Sequence, residues 1–226
     1  MSARLIGWVC SVLILSTGVT KAEMLLTNGD FETGNLSGWN VNANPADAPI
    51  IINYNSTAGL YHGAFGESVP APTNGLSSGV YFFADSGAQS ISQLLPTLRA
   101  NTPYVLSFDV YAPQNGRANL FDASLFATLN GTMISKVFSA DSLTNGWEYY
   151  STTFTSTSAA SYDFALNFQG NGIDGAAADF VVDNVSIADN ASLATAIPEP
   201  RTWALLIIGF AGIGFMACRQ RARQPG

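Results

Sequence analysis

The run Tyr104-Val105-Leu106-Ser107-Phe108-Asp109-Val110-Tyr111 decides the fold class. Tyr104, Leu106, Phe108 and Val110 share one side of an extended chain, and Val105, Ser107, Asp109 and Tyr111 share the other. A period of two is the mark of a strand with one face in a core. The pattern returns where Tyr162, Phe164, Leu166 and Phe168 alternate with Asp163, Ala165, Asn167 and Gln169. Residues 120–129 and 132–138 flank Asn130-Gly131, a pair that tolerates positive φ and so suits a tight hairpin turn. Residues 147–155 are rich in aromatic side chains and threonine, and 180–187 read as a closing strand. Gly, Asn, Ser and Pro separate these runs, with no amphipathic helix and no internal repeat. The expectation is an all-β sandwich over 23–187, followed by a small, polar linker over 188–196.

Composition and charge narrow the function classes. The chain has 226 residues, 47% of them hydrophobic and 11% charged. That is a low charge content for a cytosolic enzyme. Between residues 23 and 197 stand Arg99, Arg117 and Lys136 against fifteen acids, a formal charge of −12. Nucleic-acid binders need a basic footprint, so that partner is excluded. The two cysteines, Cys10 and Cys218, lie in apolar runs at opposite ends, which leaves the intervening domain with no disulfide or thiolate site. His62 is the only histidine, which excludes a multi-histidine zinc or iron site.

The ends read as export signals. Arg4, the apolar run 5–15 and Thr20-Lys21-Ala22 form a secretory signal peptide, residues 1–22, too short in its apolar part to span a bilayer. At the other end Pro198-Glu199-Pro200 precedes Trp203, an apolar helix over 203–218, and arginines at 219, 221 and 223. Trp suits the membrane interface, and the arginines stay cytoplasmic by the positive-inside rule. Both ends therefore place the domain outside the cytoplasm.

The order of features over 197–226 resembles the PEP-CTERM sorting signal of Gram-negative bacteria, in which Trp three residues after the second proline is common. The resemblance implies recognition by an exosortase, a membrane-embedded transpeptidase that cuts near Pro-Glu-Pro. It also implies transient membrane insertion through the carboxy-terminal helix, then delivery to the outer surface or the extracellular matrix, in systems tied to exopolysaccharide and biofilm.

A second resemblance spans most of the domain. Leu26-Thr27-Asn28-Gly29-Asp30-Phe31-Glu32-Thr33-Gly34, followed by Ser37-Gly38-Trp39, is similar to the opening of jelly-roll, galactose-binding-like carbohydrate-binding modules. Phe180-Val181-Val182-Asp183-Asn184-Val185-Ser186-Ile187 is similar to their closing strand, and Ile91-Ser92-Gln93, residues 101–108 and Gly146-Trp147 fit their middle strands. In that family a structural calcium commonly ties the first strand to the last. Carried over, Glu32 and Asp183 supply carboxylates and the Asp30 backbone carbonyl a third oxygen, a donor set calcium accepts. The plainer alternative has Glu32 capping a turn and Asp183 bonding nearby backbone.

No pair of acids stands out for glycoside cleavage, so no catalytic residue is assigned. The resemblance implies a non-enzymatic module that binds extracellular polysaccharide; the alternative is a matrix protein without a specific sugar. Trp39 and Trp147 are read as core rings. Tyr61, Phe65, Tyr81, Tyr111 and Phe121 remain open as stacking platforms.

Overall fold

The computed structural model describes residues 24–57, 64, 66–73, 76–84, 86–114, 123–143, 146–171 and 178–189. The signal segment, Pro198, Glu199, Pro200, Trp203, the apolar tail, His62, Tyr61, Phe65, Arg117 and Phe121 lie outside them. Ten strands form two five-stranded sheets: β1 (Asn40–Asn42), β2 (Ile50–Asn53), β3 (Ser78–Phe82), β4 (Ser86–Leu94), β5 (Pro103–Tyr111), β6 (Ala123–Leu129), β7 (Thr132–Met133), β8 (Glu148–Thr155), β9 (Asp163–Asn171) and β10 (Phe180–Asp189). The first sheet runs β1-β4-β9-β6-β7 and the second β2-β3-β10-β5-β8. Every pairing is antiparallel. The domain is a jelly-roll-like two-sheet sandwich.

Alternation fills the space between the sheets. Leu106, Phe108 and Val110 of β5, Phe164, Leu166 and Phe168 of β9, and Val182 and Ile187 of β10 meet in one core with Phe31, Trp39 and Phe138. Asn130 (φ 47°) and Gly131 (φ 75°) turn the β6–β7 hairpin, as that dipeptide requires. The second arm is shorter than 132–138: β7 stops at Met133, and only Phe138 pairs again, with Leu125. Residues between them loop out of the ladder, where the Ser135 hydroxyl accepts from Ala127 N–H, and Phe138 rejoins it with its ring edge-on against Phe108 and Tyr150 in the core. The last strand is longer than 180–187. Ala188 and Asp189 pair with Val105 and Tyr104, and Arg99 forms an ion pair with Asp189, so the domain takes in the first two residues assigned to the linker.

A second, smaller cluster lies on the outer face of the second sheet. Tyr81, Tyr111 and Val181 project opposite to their core neighbours and are covered by Ile52, Tyr54, Ala64, Val69 and the partly buried Trp147. The aminoterminal segment lies along β10, with Leu25 N–H donating to the Ile187 carbonyl and Val185 N–H to that of Gly29. Gln93 clamps the same segment from the other sheet. Its amide accepts from Thr27 N–H at 3.0 Å and donates to the Thr27 carbonyl at 2.6 Å.

Candidate functional site

The residues carried over for a metal come together only in part. Phe31 is fully buried yet has φ 52°, unusual for a bulky residue. This left-handed turn drops its ring onto Trp39 (5.7 Å between centroids) and leaves Glu32 outside the core. There Glu32 accepts bonds from the backbone N–H groups of Ser77 and Ser78 at 2.7 and 2.9 Å, and from the Ser77 hydroxyl at 2.5 Å. Desolvation works to raise its carboxyl, and the Ser77 and Ser78 bonds outweigh it, so the group is held below its usual range.

Asp183 is different. It is wholly buried, accepts the Tyr54 hydroxyl at 2.7 Å and its neighbour Asn184 N–H at 2.6 Å, and faces Asp109 directly across the β10–β5 ladder. Burial pushes its carboxyl up to about 7; the two hydrogen bonds resist this, and the Asp109 and Glu32 charges add to it. The same burial and the same three carboxylates drive the Tyr54 hydroxyl far above its ordinary value. Glu32, Asp109 and Asp183 thus lie within electrostatic reach of one another. Asp30 does not join them through its side chain, whose Oδ1 instead meets Glu32 N–H at 3.4 Å. Among the described residues no group of three or more His, Cys, Asp or Glu side chains is arranged to hold a metal ion. Two mutually repelling carboxylates, one fully desolvated, still suit a hard divalent cation, with carbonyls and water completing the oxygen shell.

The aromatic candidates sort by packing. Trp39 is core, and its indole N–H donates to the Asn28 carbonyl. Trp147 rests against Tyr54 and Tyr111 and donates to the Pro70 carbonyl at 2.6 Å, so it fastens the loop over the second sheet. Tyr81 and Tyr111 are buried, which removes them as stacking platforms; Tyr81 donates to Asp179.

The ring that sequence reasoning missed is Phe126. It alternates with the core residues Leu125 and Ala127, is partly exposed, and belongs to neither apolar cluster. Cross-strand register sets it beside Asn167, which in turn lies beside Ser90 of β4. On the same outer face Gln169 adjoins Ser124, and Ala165 adjoins Thr128 and Ser92. The Asn167 amide donates to the Thr128 hydroxyl at 3.0 Å. Across the three central strands this face is amide, hydroxyl and one phenyl ring, with no charge from 88 to 92, 124 to 128 or 165 to 169 on the outward side. A period of two that puts Leu125 and Ala127 inside puts Phe126 outside, so the alternation itself could have found it.

Comparison with known proteins agrees with this architecture. Several of the solved structures that this chain is similar to are carbohydrate-binding modules. A solved structure of arabinose-bound MgGH51 α-L-arabinofuranosidase matches with a TM-score of 0.51 at 18% identity, over 76% of this chain and 27% of that one. TmCBM61, solved in complex with β-1,4-galactotriose, matches with a TM-score of 0.48 at 16% identity, over 74% and 99%. A family 16 carbohydrate-binding module matches at 0.41 and 19%, over 72% and 98%. At 18% identity the likeness to the arabinofuranosidase bears on the fold alone and leaves the ligand open. No protein-family model matches the sequence. No curated protein matches it either.

Proposed function

We propose that this chain is an exported, non-catalytic polysaccharide-binding protein of the cell surface or extracellular matrix. The observation that carries the reading is the outer face of the first sheet. A polymer needs a surface open at both ends, and an uncharged row of amides and hydroxyls around a phenyl ring offers hydrogen bonds to sugar hydroxyls and an apolar patch for a pyranose face. A calcium held between Glu32 and Asp183, with the Asp30 carbonyl, supplies the positive charge that the buried carboxylates call for and fixes the first segment to the last strand. The Pro198-Glu199-Pro200 triplet, Trp203 and the arginine-rich end support sorting by an exosortase from the inner membrane, in the setting of exopolysaccharide and biofilm.

The test uses the exported protein and the neutral exopolysaccharide of the cells that make it. Affinity electrophoresis should show retardation, and Phe126→Ala should reduce it at least tenfold in apparent affinity with the fold intact by circular dichroism. Migration of the unaltered protein unaffected by any neutral polysaccharide would favour a matrix role without a sugar ligand.

A further inference from the structure

The opposite side of the sandwich carries a concavity that the sugar-binding reading above does not use. It is an open groove of about 510 Å³ between the aminoterminal segment and Tyr149 of β8, floored by β5 and β10. That volume lies within the usual range for sites that hold small molecules. Its walls are built by specific devices. Gly29 lets the segment approach β10 so closely that a Cβ there would stand 2.0 Å from the Val185 carbonyl oxygen. A bulge in β10 follows Asp183, and Asn184 adopts φ 52°. That conformation turns its amide to donate to Asp109 Oδ2 at 2.6 Å. Tyr149 lies directly across the ladder from Asp109, and its ring is 66% exposed, although strand neighbours Tyr150 and Phe154 pack inward. Beside them the hydroxyls of Ser107 and Ser186 meet at 3.1 Å.

We infer that this groove is a second glycan site, for a short segment or chain end of neutral polysaccharide, which makes the molecule bivalent. With one N–H locked to the buried Asp109, the Asn184 amide presents its other N–H and its Oδ1 in fixed relation, a donor and an acceptor for neighbouring sugar hydroxyls. The exposed Tyr149 ring beside that pair supplies the apolar face on which a pyranose ring stacks. The groove is bounded where the outer face of the first sheet is open, so the two sites accept different stretches of a polymer. They lie on outward faces of opposed sheets, so one molecule reaches two chains. Bivalency then converts weak single-site binding into cross-linking of the polymer, with avidity gains of about 10²–10⁴ where both sites engage one network.

This inference rests on the polysaccharide-binding reading but fails separately from it. Calorimetry of the exported protein with short neutral oligosaccharides cut from the cells' own exopolysaccharide should give two sites per chain. Tyr149→Ala, and Asn184→Gly, which keeps the left-handed backbone while deleting the amide, should each leave one site. Phe126→Ala should leave the other. The intact polymer should become turbid with the unaltered protein and stay clear with each single variant. One site per chain, lost with Phe126→Ala and untouched by Tyr149→Ala and Asn184→Gly, would overturn the second site and leave the first standing. Absence of any binding by the unaltered protein would remove both.

Discussion

At the scale of single residues, the most informative side chain is Asp183. A wholly buried carboxylate is costly unless it is paired, and here its neighbours include two further acids. Its carboxyl rises from an ordinary 3.8 to about 7 because burial outweighs the bonds from Tyr54 and Asn184. The sign follows from proton linkage. Between these values the folded protein binds more protons than the unfolded chain, so stability falls as pH rises through the window. Calcium-free protein should therefore melt at progressively lower temperature from about pH 4 to about pH 7, insofar as Asp183 governs the trend. Asp183→Asn keeps the shape and accepts the Tyr54 hydroxyl, and it should flatten that slope when melting is followed by circular dichroism in a chelator. A slope unchanged by the substitution would place the titration elsewhere.

At the scale of elements, the strands were legible because their faces differ in chemistry, and their ends were not. Period two located β5 and β9 and gave the side of each that packs inward. It could not show that the second hairpin arm loops out after Met133 and returns at Phe138, whose ring packs on Phe108 and Tyr150. Nor could it extend β10 to Asp189, whose partners Tyr104 and Arg99 lie far away in the chain. The resemblance gave the carboxylates Glu32 and Asp183 through its opening and closing motifs, but Asp109, which faces Asp183, is visible only once register is known. The aminoterminal segment shows the same limit. Gly29 stands in the opening motif with no role assigned by pattern, and the structure uses it for a close approach to the Val185 carbonyl. Gly29→Ala should accordingly lift the segment from β10 and cost about 1–3 kcal/mol of stability, as overpacking against fixed backbone does. Hydrogen exchange should then quicken at Val185, whose N–H donates to Gly29, and remain slow in β9. Unchanged protection at Val185 would show that the segment gives way without cost.

At the scale of the whole molecule, the question is what closes a sandwich that has no disulfide. The opening segment is held to β10 by backbone bonds, to β4 by Gln93, and to the 76–78 strand entry by Glu32. Glu32 belongs to the opening segment and Asp183 to β10, so a cation shared between them would join segments nearly a full domain apart in sequence. Restraining so long a loop removes conformational freedom from the unfolded chain. Binding to the native state alone adds stability by mass action, about 2.7 kcal/mol when the ion stands at a hundred times its dissociation constant. For a domain of this length that corresponds to a rise in melting temperature of roughly 5–10 °C. Glu32→Gln and Asp183→Asn should each abolish most of the rise, since either deletes a charged ligand from a site with few others. They should differ without calcium. Glu32→Gln loses charge-assisted bonds to Ser77 and Ser78 and should lower the melting temperature, whereas Asp183→Asn relieves a desolvated charge and should raise it at neutral pH. Thermal unfolding at pH 7 with calcium and with a chelator separates these outcomes. Coincident curves for the unaltered protein in both conditions would leave Glu32 as the cap of the 76–78 turn and Asp183 as a buried acid satisfied by Tyr54 and the Asn184 N–H.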